Sequence, residues 1–238
     1  TLLLNAGGFI LTNAPAYGSS STLIYNNGAL YGIGTEWTPG ATSGFGYPND
    51  VKLGSTVSNS GLTISNGNIY HLRGNFTFVA TGSALTMTTS TLNIGGSWVN
   101  NGSTANFTSG AGTVGFTGTG TQTIDGTNTL AGYAFNNLTA NMSSGSLTVN
   151  RAIAVSNNLT VNGSGTFSLN GNSLTVANLI GSSTTAIINN NHASTNIVLT
   201  VTDGGNNTFA GSLQNGGAAT LGLTKQGATN SLTLSGNN

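Results

Sequence analysis

The groups able to do acid–base or electrostatic work are few. The 238-residue chain holds four carboxylates (Glu36, Asp50, Asp125, Asp203), four fixed cations (Lys52, Arg73, Arg151, Lys225) and two histidines, His71 and His192. Glycan hydrolysis or elimination needs converging carboxylates, often with a base or a calcium ion. Only Glu36 and Asp50, which border one segment, are placed to meet. Asp125 and Asp203 each precede a glycine, where Asp commonly turns a chain. His71 and Arg73 in IYHLRG fall at i and i+2, on one strand face. That pair suits a small anion or sugar contact, or simply a solvent-facing rung. His192 in NNNHASTN has no partner at metal-ligand spacing.

Recognisable catalytic motifs are missing. There is no GxSxG elbow and no glycine run ending in GK[ST]. VTDGGNNTF around Asp203 has a passing likeness to calcium-binding nonapeptides, but it lacks their Gly-x-Gly-x-Asp order and occurs once. No catalytic residue, metal ligand or cofactor is assigned, and the expectation is a non-enzymatic protein. The aromatics are more suggestive. Tyr31, Trp37, Phe45 and Tyr47 lie on one loop and could stack against sugar rings as a tentative glycan site. The same side chains would also serve to plug one end or flank of the fold.

The elements that must position these groups show best in residues 147–176, LTVNRAIAVSNNLTVNGSGTFSLNGNSLTV. Apolar doublets recur there after short Asn/Gly/Ser breaks: Leu147 and Val149, Ile153 and Val155, Leu159 and Val161, Phe167 and Leu169, Leu174 and Val176. Alternate residues of a strand share a face, so each doublet is one very short strand with both side chains inward. The breaks are too short for crossover helices. Comparable beats run from Leu62 to Phe116 and from Phe135 to Leu234. Residues 117–132, TGTGTQTIDGTNTLAG, read as an outward loop. Residues 1–50 hold most of the tyrosines and all three prolines. In this part STLIY (21–25) reads as a strand, and a long loop after Tyr31 ends at the strand Val51–Leu53. Stacked coils that share one core account for the pattern better than an antiparallel sandwich, which would have longer strands and regularly spaced hairpins. Asn and Thr at equivalent corners should then form hydrogen-bonded ladders.

Composition narrows the partners. Charged residues are 3% of the chain and the formal net charge is zero, against roughly 25% charged in an ordinary soluble domain. The basic footprint of a nucleic-acid binder is absent, and anionic membrane surfaces are disfavoured for the same reason. No apolar run approaches the roughly 18 residues of a membrane span. Cysteine is absent. Neither end shows a charged or proline-bearing cap, and the near-uncharged surface offers little to repel a second copy.

Six stretches carry resemblances to two families. GSSSTLIYNNGALYGIGTEW, GYPNDVKL, GGSWVNNGSTANF, GTVGFTGTGTQTIDG and FNNLTAN resemble the large secreted surface repeat proteins of Bacteroidetes, many of them exported by type IX secretion. LGLTKQGATNSLTLSGNN is similar to the autotransporter-associated β-strand repeat, usually LTKxGxGTLTLSGxNTYTG, although Ala228-Thr229-Asn230 departs from its Gly-x-Gly. The resemblance implies a right-handed β-helix on the bacterial cell surface or in an extracellular fibre, and it transfers no catalytic residue. The expectation is therefore all-β: one parallel β-solenoid domain over 1–238, with an aromatic-rich loop region in 1–50 and stacked coils over 51–238, cut from a longer protein. Its expected role is structural or adhesive, joining to itself end to end. A glycan or cell-surface target is the alternative partner, and a β-helical glycan-degrading enzyme the weakest reading.

Overall fold

The computed structural model describes residues 1–128, 130–202 and 204–237, including all of their side chains except those of Leu130 and Ala131. The turn reading at Asp203 lies outside these residues. The protein is a parallel β-solenoid, and the strand pairings described among its residues run parallel. Among the described residues an isolated bridge between Ala16 and Phe45 is antiparallel. The sole helical element among the described residues is a 3-10 turn at Leu130–Tyr133. Among the described residues no helix is long and apolar enough to cross a membrane.

The chain forms two compact units, Thr1–Val114 with Asp125–Tyr133, and Gly115–Ile124 with Ala134–Asn238. In the first unit one sheet stacks Leu2–Asn5, Thr22–Asn26, Asp50–Leu53, Phe76–Phe78 and Trp98–Asn100. A second stacks Leu30–Gly32, Gly61–Ile64, Ala84–Met87 and Asn106–Thr108, and a third pairs Ile69–Leu72 with Thr91–Ile94. The second unit repeats the scheme. One sheet runs through Ser146–Val149, Thr166–Ser168, Ile187–Asn190 and Ser212–Gly216, a second through Leu174–Val176, Ile197–Val201 and Leu221–Lys225, and a third through Asn137–Met142, Asn158–Gly163 and Asn178–Ile180.

Register explains why such short strands hold. Leu147 pairs with Phe167, and Phe167 with Ile188. Leu138 pairs with Leu159, and Leu159 with Leu179. Each inward side chain thus rests on the inward side chain of the next coil, and all ten doublet residues of 147–176 are buried. Burying a Leu or Phe gains about 1.5–3 kcal/mol, which no two-strand fragment of three residues would secure alone. The first unit has an aromatic stack of its own, in which Phe76, Phe78, Trp98 and Phe107 meet with centroids 4.8–5.4 Å apart.

Corners are made by Asn-Gly pairs. Asn66 and Gly67 have φ of 68° and 67°, and Asn170 and Gly171 have 46° and 83°. This is the left-handed region that Gly, and among other residues chiefly Asn, tolerates. Asparagines also stack in the second unit. Asn157 donates to Asn137 (3.1 Å), Asn178 to Asn157 (3.2 Å) and Asn207 to Asn178 (2.6 Å), so one column of amides runs along consecutive coils.

Residues 117–132 are not wholly an outward loop. Thr121–Gly126 is a strand with Gln122 and Ile124 buried. A glutamine in an inward position erased the apolar alternation that would have marked it.

Replacing Phe167 by Ala should destabilise the chain by about 3–5 kcal/mol. Thr166→Ala, on the outward side of the same strand, should stay within about 0.5 kcal/mol. Urea unfolding of both variants measures the contrast, and equal losses would contradict the register.

Candidate functional site

The long loop after Leu30–Gly32 is a strap laid along the third sheet of the first unit. Its backbone engages the open edge of Ile69–Leu72 and the residues just after it. Gly40 N–H donates to the Ile69 carbonyl (2.7 Å), the Trp37 indole N–H to the His71 carbonyl (2.8 Å), Arg73 N–H to the Pro48 carbonyl (3.1 Å) and Gly74 N–H to the Asn49 carbonyl (2.8 Å). Covering an edge in this way removes a template for uncontrolled strand addition. The segment that covers this edge contains Pro39 and Pro48.

Trp37 is the peg of the strap. It is 0% exposed, and its ring meets Tyr70 edge-on at 5.3 Å. The other three aromatics of the expected glycan site lie differently. Tyr31 is half-buried, with its ring 5.4 Å from that of Tyr25. Tyr47 is half-buried beneath the Arg73 guanidinium, 5.1 Å from its ring centroid. Phe45 is 67% exposed beside a groove of ≈ 520 Å³ lined also by Thr12, Asn13 and Ala14. The structure thus separates an enclosed Trp37 from an open Phe45. Sequence spacing could not show this, because the loop carries no periodicity.

Arg73 does not face solvent as a free cation. Its Nη2 donates to the carbonyls of Tyr17 (2.8 Å), Gly18 (3.0 Å) and Tyr47 (3.4 Å), tying the strap and the earlier loop before Thr22–Asn26 to the coil. His71 sits beside Asn93, with Nδ1 and Nδ2 3.4 Å apart, and burial pushes the imidazole below its usual pKa.

Glu36 is fully buried, an unusual place for a carboxylate. Oε1 accepts from the Tyr25 hydroxyl (3.2 Å) and from Gly34 N–H (3.0 Å), while the Tyr17 hydroxyl donates to the Glu36 carbonyl (2.8 Å). Oε2 has no hydrogen-bond partner. It stands 2.8 Å from where a Cβ on Gly34 would lie, with the Ile10 carbonyl oxygen 3.1 Å from the same point. Burial, reinforced by the nearby Glu36 charge, raises the pKa of both Tyr17 and Tyr25 above the ordinary tyrosine value.

The other ionisable groups hold local structure. Asp50 accepts from Asn75 N–H (2.7 Å), so the two carboxylates expected to meet serve different partners. Asp125 accepts from Gly126 N–H (2.7 Å). The His192 Nδ1 accepts from Thr195 N–H (2.9 Å) and Ser194 N–H (3.2 Å), which caps its own loop. Among the described residues no three of His, Cys, Asp and Glu come together as metal ligands. No family model, no curated protein and no solved structure matches the chain.

Three outcomes follow for the strap. Trp37→Ala should cost about 3–5 kcal/mol, read by thermal unfolding. Glu36→Gln should leave stability unchanged or raise it, because it removes the buried, unpartnered carboxylate oxygen while the amide oxygen keeps the bonds from Tyr25 and Gly34; a large loss would contradict this. The raised values of Tyr17 and Tyr25 mean that, above pH 10, the unfolded chain releases protons the folded chain retains. Their contribution to stability is complete below pH 10 and declines as pH rises further. Phenolate absorbance should therefore appear for these two only together with loss of circular dichroism.

Proposed function

We propose that the chain is a non-enzymatic structural segment of a bacterial exterior. In this reading it is a right-handed β-solenoid, the hand of nearly all parallel strand crossovers, that joins further copies of itself along the coil axis into a surface fibre or stalk. The observation that carries the reading is the stacking itself. In-register parallel rungs bury a continuous apolar interior behind an outer layer of Thr, Ser and Asn. Such a scaffold gains stability with each added rung.

A rung in the second unit supplies the contact. Leu213, Leu221, Leu223, Leu232 and Leu234 point as core residues do, yet they are only half-buried. A further rung laid against them, whether from continuing chain or from a second copy, would complete their burial and extend the ladder. Heterologous contacts of this kind propagate instead of closing. With 3% charged residues, little electrostatic repulsion opposes the approach. The resemblance to secreted surface repeat proteins agrees with this location and role.

Negative-stain microscopy of the purified chain tests the proposal. Filaments should lengthen with protein concentration and persist in about 1 M salt, where the screening length falls to about 3 Å. Leu223→Lys together with Leu234→Lys should abolish them while leaving circular dichroism intact. Single particles at every concentration would overturn the proposal.

A further inference from the structure

We infer that the groove beside Phe45 is a binding site for a neutral saccharide of one or two rings. Its ≈ 520 Å³ falls within the range of small-ligand sites, roughly 300–1,000 Å³. Phe45 presents its ring to this space from a backbone held on both sides. It bridges Ala16, and the following Gly46 donates to the Pro15 carbonyl (2.8 Å) and accepts from Thr38 N–H (2.9 Å). The platform is thus fixed before any ligand arrives, which lowers the ordering cost of binding.

The polar part of the lining is unspent. Among the described residues, the side chains of Thr12 and Asn13 make no hydrogen bond within the protein, although both border the groove. A hydroxyl and an amide offer donors and acceptors of both kinds, matching ring hydroxyls, while the phenyl face matches the C–H face of a pyranose. Phe9 (61% exposed) and Leu11 (75% exposed) lie on the same segment as Thr12 and Asn13 and add apolar surface to it.

Charge selects among the candidate ligands. Nothing lining the groove is ionisable. Arg73, the cation of this region, is committed to three backbone carbonyls. A uronate or a phosphorylated ligand would lose its hydration and gain no counter-charge. The site therefore takes an uncharged sugar, and Trp37, enclosed beneath the strap, takes no part in contacting it.

Titration calorimetry of the full chain with cellobiose, maltose, mannobiose and diacetylchitobiose, with digalacturonate as the acidic comparison, tests this. At least one neutral disaccharide should bind with a Kd of about 1 mM or tighter. Phe45→Ala should weaken it about tenfold or more with an unchanged melting temperature, since the ring is exposed, and Asn13→Ala should weaken it as well. Absence of binding by all four neutral sugars would overturn the inference. So would equal affinity in Phe45→Ala, or a preference for digalacturonate. Sedimentation showing a dimer that Phe45→Ala dissociates, without sugar binding, would assign the groove to a second copy instead.

Discussion

Everything in this fold depends on one constraint: each coil must lie on the next in parallel register. A strand of three or four residues contributes two inward side chains, and these become buried only when the coils above and below supply matching ones. Leu147, Phe167 and Ile188 satisfy the requirement in one column, and Leu138, Leu159 and Leu179 in another. A slip of one residue would turn an entire rung inside out, so the energetic penalty for misregister grows with every apolar doublet. The coil length can vary without harm because excursions leave at corners. Leu2 pairs with Leu23, but Leu23 pairs with Val51, and the longer second interval holds the strap.

The strap shows what happens where one rung of a sheet is replaced by irregular chain. Its backbone supplies hydrogen bonds to the edge of Ile69–Leu72, Trp37 fills the apolar gap, and Arg73 gathers carbonyls from the strap and from the loop before Thr22–Asn26. Glu36 works in the opposite sense, accepting from Tyr25 and Gly34 inside the strap. Much of the small ionisable inventory of the first unit is thus engaged in fastening one loop. Groups that suggest catalysis when read as a string act here as clamps. Three carbonyl acceptors around one guanidinium satisfy what irregular backbone leaves unpaired.

The interior was legible in the sequence because period-two doublets survive even in very short strands, and their burial follows from that pattern alone. The corners were legible only in part. Asn66–Gly67 and Asn170–Gly171 have both residues at positive φ, the geometry that also makes a two-residue hairpin. Local sequence therefore could not separate a climbing coil from a meander; the direction of the next strand is a tertiary fact. Gln122 hid a strand by placing an amide where an apolar residue was expected. The loop aromatics were less legible still. Trp37 and Phe45 are eight positions apart on a segment with no period, one enclosed and one open, and only the backbone bonds of the strap decide which is which.

The scarcity of charge is itself a consequence of the register. Parallel in-register stacking sets each outward residue beside its counterpart about 4.8 Å away. A column of like charges at that spacing repels by about 1 kcal/mol per neighbour even in water's dielectric, and by more near a low-dielectric surface. Amides and hydroxyls meet no such conflict, because each can donate to one neighbour while accepting from the other, as Asn157 and Asn178 do between Asn137 and Asn207. Lys52 illustrates the same rule from the other side, flanked in its column by Ile24 and Thr77, neither of them charged.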